Sequence, residues 1–286
     1  LRQEVDSGQH YLPGLVTGTR ETIVTSPRSA RPEYVLRLPG PSWLPFMAGV
    51  GTAAFFFCLT LKWFVAAALG AALTLASILK WLWDSDPAPG ALLHDIGDGI
   101  RVPDAMTGSR SHAWWAMVVV LLVDAAILAS LLFSGFFLAG QAPEWPPAGW
   151  LAPSMGASAI SALAWFLCGA AIEYASRALR ACRTSAFAGA VFCGIVLAAG
   201  AVALMSQALS ASNIRPEPHA FGAMTHAFLY WQALHVVLAV IMATYVLARL
   251  WSGKIDARRR ATFDHARLLW HYMSAQALVI LAVQQL

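Results

Sequence analysis

Long apolar runs separated by short polar segments set the rhythm of this chain. Ser111–Leu138, SHAWWAMVVVLLVDAAILASLLFSGFFL, has a Trp pair at one edge and one charge, Asp124, near its middle. A helix of about 20 apolar residues covers a hydrocarbon core about 30 Å thick, so this run reads as a membrane crossing. Ser42–Trp83 is apolar apart from Lys62 and Lys80. As one helix it would reach about 60 Å at 1.5 Å per residue, far beyond that core. Two helices, 43–60 and 64–83, fit better, with Lys62 and Trp63 at a tight turn. A basic residue and an aromatic suit the membrane interface. The remaining runs predict helices over 153–176, 186–209, 223–250 and 268–286.

The polar segments between them read as arm and loops. Residues 1–40 carry Pro13, Pro27, Pro32 and Pro39 with Arg20, Arg28, Arg31 and Arg37 interspersed. Proline at this density prevents long helices, and Glu21–Val24 and Glu33–Leu38 read as short strands. Asp84–Arg110 places Asp95, Asp98 and Asp104 among Gly and Pro, and Gly140–Trp150 is a Pro-rich turn. Ser176–Ser185, Ser210–Gly222 and Trp251–Arg267 read as the later loops. The expected organisation is an arm over 1–41, a two-helix transmembrane hairpin over 42–84, a loop over 85–111 and a five-helix bundle over 112–286. The fold class is all-α, a polytopic membrane protein with seven transmembrane helices.

Composition agrees with the pattern. Hydrophobic residues make up 58% of the chain and charged residues 12%, with a mean hydropathy of +0.61. A soluble domain carries about twice that charge. The 19 Lys and Arg outnumber the 15 acids, but they sit mainly at the ends of apolar runs, which argues against a nucleic-acid partner. With seven crossings, the arm and the loops after the second, fourth and sixth helices share one side. All the Lys and Arg fall on that side except Lys62 and Arg215. The positive-inside rule then makes the arm cytoplasmic. Cys58, Cys168, Cys182 and Cys193 show no CxxC or Cys/His spacing, so neither a metal site nor a disulfide framework is expected. Leu1 is not an initiator Met, and 1–40 lacks the regions of a signal peptide. A piece of a longer chain, or a processed product, is the expectation.

Asp124 leads the candidate chemistry. A mid-bilayer Asp costs roughly 2.5–3.5 kcal/mol on insertion scales. Residues 118–123 with Ile127, Leu128, Leu131 and Leu132, at about −0.3 to −0.6 kcal/mol each, offset it. Two readings follow: a protonated acid hydrogen-bonded to a neighbouring helix, or a proton-exchanging group. Glu173 reads as an interfacial anchor paired with Arg177 at i,i+4, a contact worth a few tenths of a kcal/mol. His235 is mid-membrane, with His226 nearer the outer face and His271 nearer the inner. Haem b would need two His at one depth on facing helices. The plainer reading of His235, shared with Gln207 and Gln232, is a polar group satisfied by a neighbour. Trp145, Trp231, Trp251 and Trp270 fit aromatic belts. No phosphate loop, GxSxG elbow, HExxH or nucleophile–base spacing is present.

Ser111–Leu138, followed by EWPP, resembles the third helix of cytochrome c oxidase subunit III and its following loop. HAFLYWQALHVVLAV is similar to the penultimate helix of that family, and ARLLWHYMSAQALVILAV to its last. Gln207 falls where the family often has Gln. The arm HYLPGLVTGTRETIVTSPRSARPEYVLRLPGPSWLPF resembles the junction of bacterial fused subunit I+III polypeptides. The resemblance covers nearly the whole chain. It implies two helices, a V-shaped cleft holding phospholipid, then five helices, in the bacterial inner membrane. Partners would be subunits I and II, with cytochrome c reached through the complex. Haem and copper would sit in those subunits, with no cofactor and no catalytic residue in this segment. The implied role is support of subunit I and of its proton and oxygen supply.

Departures from the family pattern mark the points of interest. The helix-three acid is usually Glu, and here it is Asp124. Gln232 occupies the first position of the usual paired His, and His235 keeps the second. No acid follows Gln207, and WHYMSA lacks the usual Asp. The resemblance thus assigns Asp124 as a proton-exchanging or structural acid, with His235, Gln232 and Glu173 as polar positions of the lipid cleft. A quinol oxidase is the near alternative. A seven-helix transporter is the distant one, and it would need a discontinuous helix or inverted repeat.

Overall fold

The computed structural model describes residues 3, 20–85, 93–97, 99–103, 106, 108, 111–150 and 154–285. The elements are β1 (Arg20–Thr25), β2 (Pro32–Leu38), α1 (Leu44–Thr60), α2 (Phe64–Ser85), β3 (Leu93–Asp95), β4 (Arg101–Pro103), α3 (His112–Gln141), α4 (Met155–Arg180), α5 (Thr184–Ala211), α6 (Ala220–Trp251) and α7 (Ala261–Val283). Among the described residues, six helices, α2 to α7, are long and apolar enough to cross a membrane, while α1 is apolar but has 17 residues. The fold is all-α and polytopic, with two small β-hairpins added. The chain forms two compact units, Leu1–Met106 and Thr107–Leu286.

In the first unit, β1 and β2 pair antiparallel with Ile23 opposite Val35, at the two strands expected in the arm. A second hairpin, β3 with β4, lies in the segment that reads as plain loop, and β4 runs beside β2. Its three-residue strands are too short to show a period. Burial of Tyr34, Val35 and Val102 holds the two hairpins together. Pro13, Asp98, Asp104 and Arg110, placed above in arm and loop, lie outside the described residues.

Helices α1 and α2 form the expected hairpin. Lys62, at φ +61°, reverses the chain. Its N–H donates to Leu59 O (3.0 Å) and that of Trp63 to Cys58 O (2.8 Å), which satisfies the last carbonyls of α1. The two helices touch through glycine. A Cβ on Gly70 would lie 2.7 Å from Phe55 N and 2.9 Å from Gly51 O. Between apolar helices in lipid, close approach of small residues supplies the attraction that a hydrophobic effect cannot.

The second unit is α3 to α7. Its centre is Trp165 and Ile172 of α4, Phe187 and Val191 of α5, and Phe263 and Trp270 of α7, all at most 2% exposed. Helix α7 begins at Ala261, seven residues before the expected 268. Phe263 meets Phe187 edge-on at 4.9 Å and Ala266 is buried, so packing extends the helix through a polar-looking stretch. Asp264 in the first turn also suits the helix dipole. Likewise α4 runs on to Arg180 because Ala178 and Leu179 are buried. Helix α3 stands at the margin, burying only Leu128 and Gly135.

Candidate functional site

Three helices far apart in sequence bring one polar group each to a single point. Asp124 of α3 lies about 18 Å from the start of its helix, and Tyr272 of α7 about 17 Å from its own. His235 lies about 24 Å from the opposite end of α6. The three therefore meet at the same mid-span level. The His235 Nε2 is 3.0 Å from Asp124 Oδ2, and the Tyr272 hydroxyl donates to the same oxygen at 2.6 Å. The Asp124 side chain is 23% exposed and that of His235 3%.

A fourth contact defines the chemistry. His235 Nδ1 lies 2.8 Å from Trp231 O. A carbonyl only accepts, so Nδ1 carries the hydrogen. Nε2 is then the one nitrogen that can gain or lose a proton, and it faces Asp124. A hydrogen bond between the two requires one proton between them, in one of two forms, a carboxylic acid donating to a neutral imidazole or an imidazolium donating to a carboxylate. Tyr272 serves as donor in both. The hydrogen-bond partner expected for Asp124 is thus found on two helices at once. With both nitrogens of His235 bonded, neither points to a haem iron in this arrangement.

The remaining sequence candidates separate. Gln232 is buried one turn along α6 from His235, and its Nε2 donates to Met273 O at 3.3 Å. Beside it, Trp231 Nε1 donates to Gln276 Oε1 at 3.3 Å. Gln207 is exposed, and His226 bonds within its own helix to Gly222 O at 3.0 Å. Glu173 does not pair with Arg177. Its Oε1 receives Arg267 Nε at 2.6 Å and His271 Nε2 at 2.7 Å, both from α7. The reason is geometric: α4 and α7 pack together and present charges across the seam, whereas Arg177 points to the exterior.

Sequence reasoning did not single out Tyr272 or Arg267. A phenol in the middle of a crossing must find a hydrogen-bond partner, and that signal marks Tyr272. Among the described residues, no group of three or more His, Cys, Asp or Glu is arranged to hold a metal ion. No family model matches the chain, and no curated protein matches it.

Proposed function

We propose that this chain is the subunit III part of a bacterial haem-copper terminal oxidase, embedded in the cytoplasmic membrane. The reading takes all seven helices as crossings. At 17 residues, α1 reaches about 25 Å, at the short end of the spanning range. The placement of nearly every Lys and Arg on one side puts the arm in the cytoplasm. The complex would reduce oxygen with electrons from cytochrome c, and its subunits I and II would carry the haem and copper. This chain would contribute no redox group.

One observation carries the reading. The three segments that resemble the family's third, penultimate and last helices each supply one member of the Asp124–His235–Tyr272 cluster. A shared resemblance along the chain is thereby matched by a shared place in space. In this reading the cluster ties α3 to the bundle and holds a proton at Asp124 Oδ2 or His235 Nε2. Such a group can support the proton supply of a neighbouring subunit, or fix the helices, without taking part in oxygen chemistry.

The test is purification of the protein from its native membrane under mild detergent. The reading requires a haem-copper absorption spectrum in the purified complex and cyanide-sensitive oxygen consumption driven by reduced cytochrome c. Consumption driven only by a quinol would move the protein to the quinol oxidases. A complex without haem would refute the reading.

A further inference from the structure

The segment before α6 and the segment after α3 meet around one imidazole, that of His219, which the oxidase reading leaves unused. His219 is the N-cap of α6, in extended backbone at φ −151°. Its Nδ1 accepts the Phe221 N–H at 3.0 Å. An N-cap is ordinarily Ser, Thr, Asp or Asn, whose oxygen satisfies one of the free N–H groups of the first turn. Here a ring nitrogen takes that place. Two indoles flank it. The ring centroids of Trp145 and Trp150 lie 6.0 and 6.3 Å from that of His219. They lie 5.2 and 6.3 Å from that of Phe221.

Both segments rest on this cap. Phe221 is buried together with Leu209 and Ile214, and Trp145 and Trp150 pack against them. The Arg215 carbonyl lies so close to Gly222 that a Cβ there would come within 1.9 Å of it. The chain before α6 is thus pressed onto the first turn of the helix, with the cap between. Trp145 and Phe221 also line a cavity of about 240 Å³, along with Phe136 of α3 and Met224 and Phe228 of α6. A change at His219 is therefore felt at two walls of that cavity.

A hydroxyl or amide cap does not titrate near neutral pH, but imidazoles change charge between about pH 5 and 8. The cap uses the Nδ1 lone pair, so it exists only with a neutral ring. In an imidazolium both nitrogens are donors, and Nδ1 would meet the Phe221 N–H donor to donor. The charged ring gains instead from indole faces, which attract a cation within about 6 Å. The charged and titratable groups around it are Glu144, Arg215, Glu217 and His226. The first three are exposed. Glu144 accepts the Ala148 N–H, and His226 bonds to Gly222 O. Among the described residues, none of the four hydrogen-bonds to His219. The adjoining ends of α3, α4, α5 and α7 carry no titratable side chain. The His219 ring is half-buried, so protons reach it from water.

We propose that His219 is a pH-sensitive latch. The neutral ring caps α6 and holds the two segments in place. Protonation releases the cap, moves the ring onto the indoles, and loosens Trp145 and Phe221 at the cavity. The latch itself does not depend on the oxidase reading. Only the side of the membrane it senses, the outer side into which a proton pump would discharge acid, rests on the orientation proposed above.

The experiment measures amide exchange by mass spectrometry on the purified protein in detergent, at pH 8 and pH 5, in the peptide that opens α6. The parent is compared with His219→Asn, whose oxygen caps at both pH values, and with His219→Ala, which caps at neither. Comparison at one pH cancels the pH dependence of the exchange chemistry. One N-cap is worth about a fivefold change in protection. The parent should match His219→Asn at pH 8 and fall about fivefold, to the level of His219→Ala, at pH 5. A ratio of parent to His219→Ala that is the same at both pH values would overturn the proposal, whether or not the Asn variant folds. Equal loss of protection in the parent and His219→Asn at pH 5 would place the sensing group elsewhere and overturn it too. In detergent both sides meet one buffer, so a failed oxidase reading leaves this result untouched.

Discussion

Truncating Asp124 should separate α3 from α6 and α7, and the cluster geometry sets the size of the effect. Asp124→Ala removes the acceptor of Tyr272 and the partner of His235 together. Side-chain hydrogen bonds between crossings are worth about 0.6 kcal/mol on average and at most about 1.7. Two bonds give an expected loss of about 1–3 kcal/mol. Asp124→Asn should cost about half as much, because both bonds converge on Oδ2. An amide can offer that point its oxygen, which keeps Tyr272 but faces the Nε2 lone pair. It can instead offer its NH2, which keeps His235 and forces Tyr272 to turn. The assay is equilibrium unfolding in mixed micelles with rising dodecyl sulfate, read by tryptophan fluorescence. A double-mutant cycle between Asp124→Ala and His235→Ala should give a coupling of about 0.5–2 kcal/mol. A coupling within about 0.3 kcal/mol of zero, the usual limit of additivity, would refute the claim that the cluster joins these helices.

Further outcomes can be checked separately. If the chain belongs to an oxidase as proposed above, Asp124→Asn should leave assembly of that complex in place but alter its proton uptake or hasten its inactivation during turnover. Undiminished activity over prolonged turnover would confine Asp124 to a structural role. Gly70→Ala should destabilise the α1–α2 hairpin by about 1–3 kcal/mol through overpacking, since its methyl group would meet backbone at 2.7–2.9 Å. Unfolding unchanged from that of the parent protein would contradict the close contact. In the loop before α7, burial alone would raise the Asp256 carboxyl. The Arg259 and Arg258 backbone N–H groups, aided by the Arg259 guanidinium, outweigh that and hold it below the usual carboxylate range. Its stabilisation is therefore present above the unfolded value of about 3.9 and is lost as pH falls through the lower folded value. Hydrogen exchange at Arg258 and Arg259 should rise over that acidic window, and Asp256→Asn should flatten the change.

Much of the molecule can be read along the chain. The helix runs, the turn at Lys62 and the two strands of the arm come from length, hydropathy and turn residues, which are local properties. Element ends were less legible. Helix α7 starts early because Phe263 finds Phe187, a partner that no local pattern names. Asp124 and His235 stand out as polar groups in apolar runs, yet their pairing is invisible to periodicity. Glu173 shows the limit most clearly. Its neighbour in sequence, Arg177, offers a contact at i,i+4, and the fold chooses Arg267 and His271 instead.

By itself, then, the sequence determined a multi-pass, apolar, helical protein with one acid in the middle of its most conspicuous crossing. Only the tertiary structure decided what that acid touches: His235 is 111 residues away and Tyr272 148. In water, the buried face of a helix is marked by its apolar stripe. In lipid, the surroundings are as apolar as the interior, so helices such as α3 carry little record of which face turns inward. Their rotation and pairing are set by close contact and by the few polar groups that must find one another.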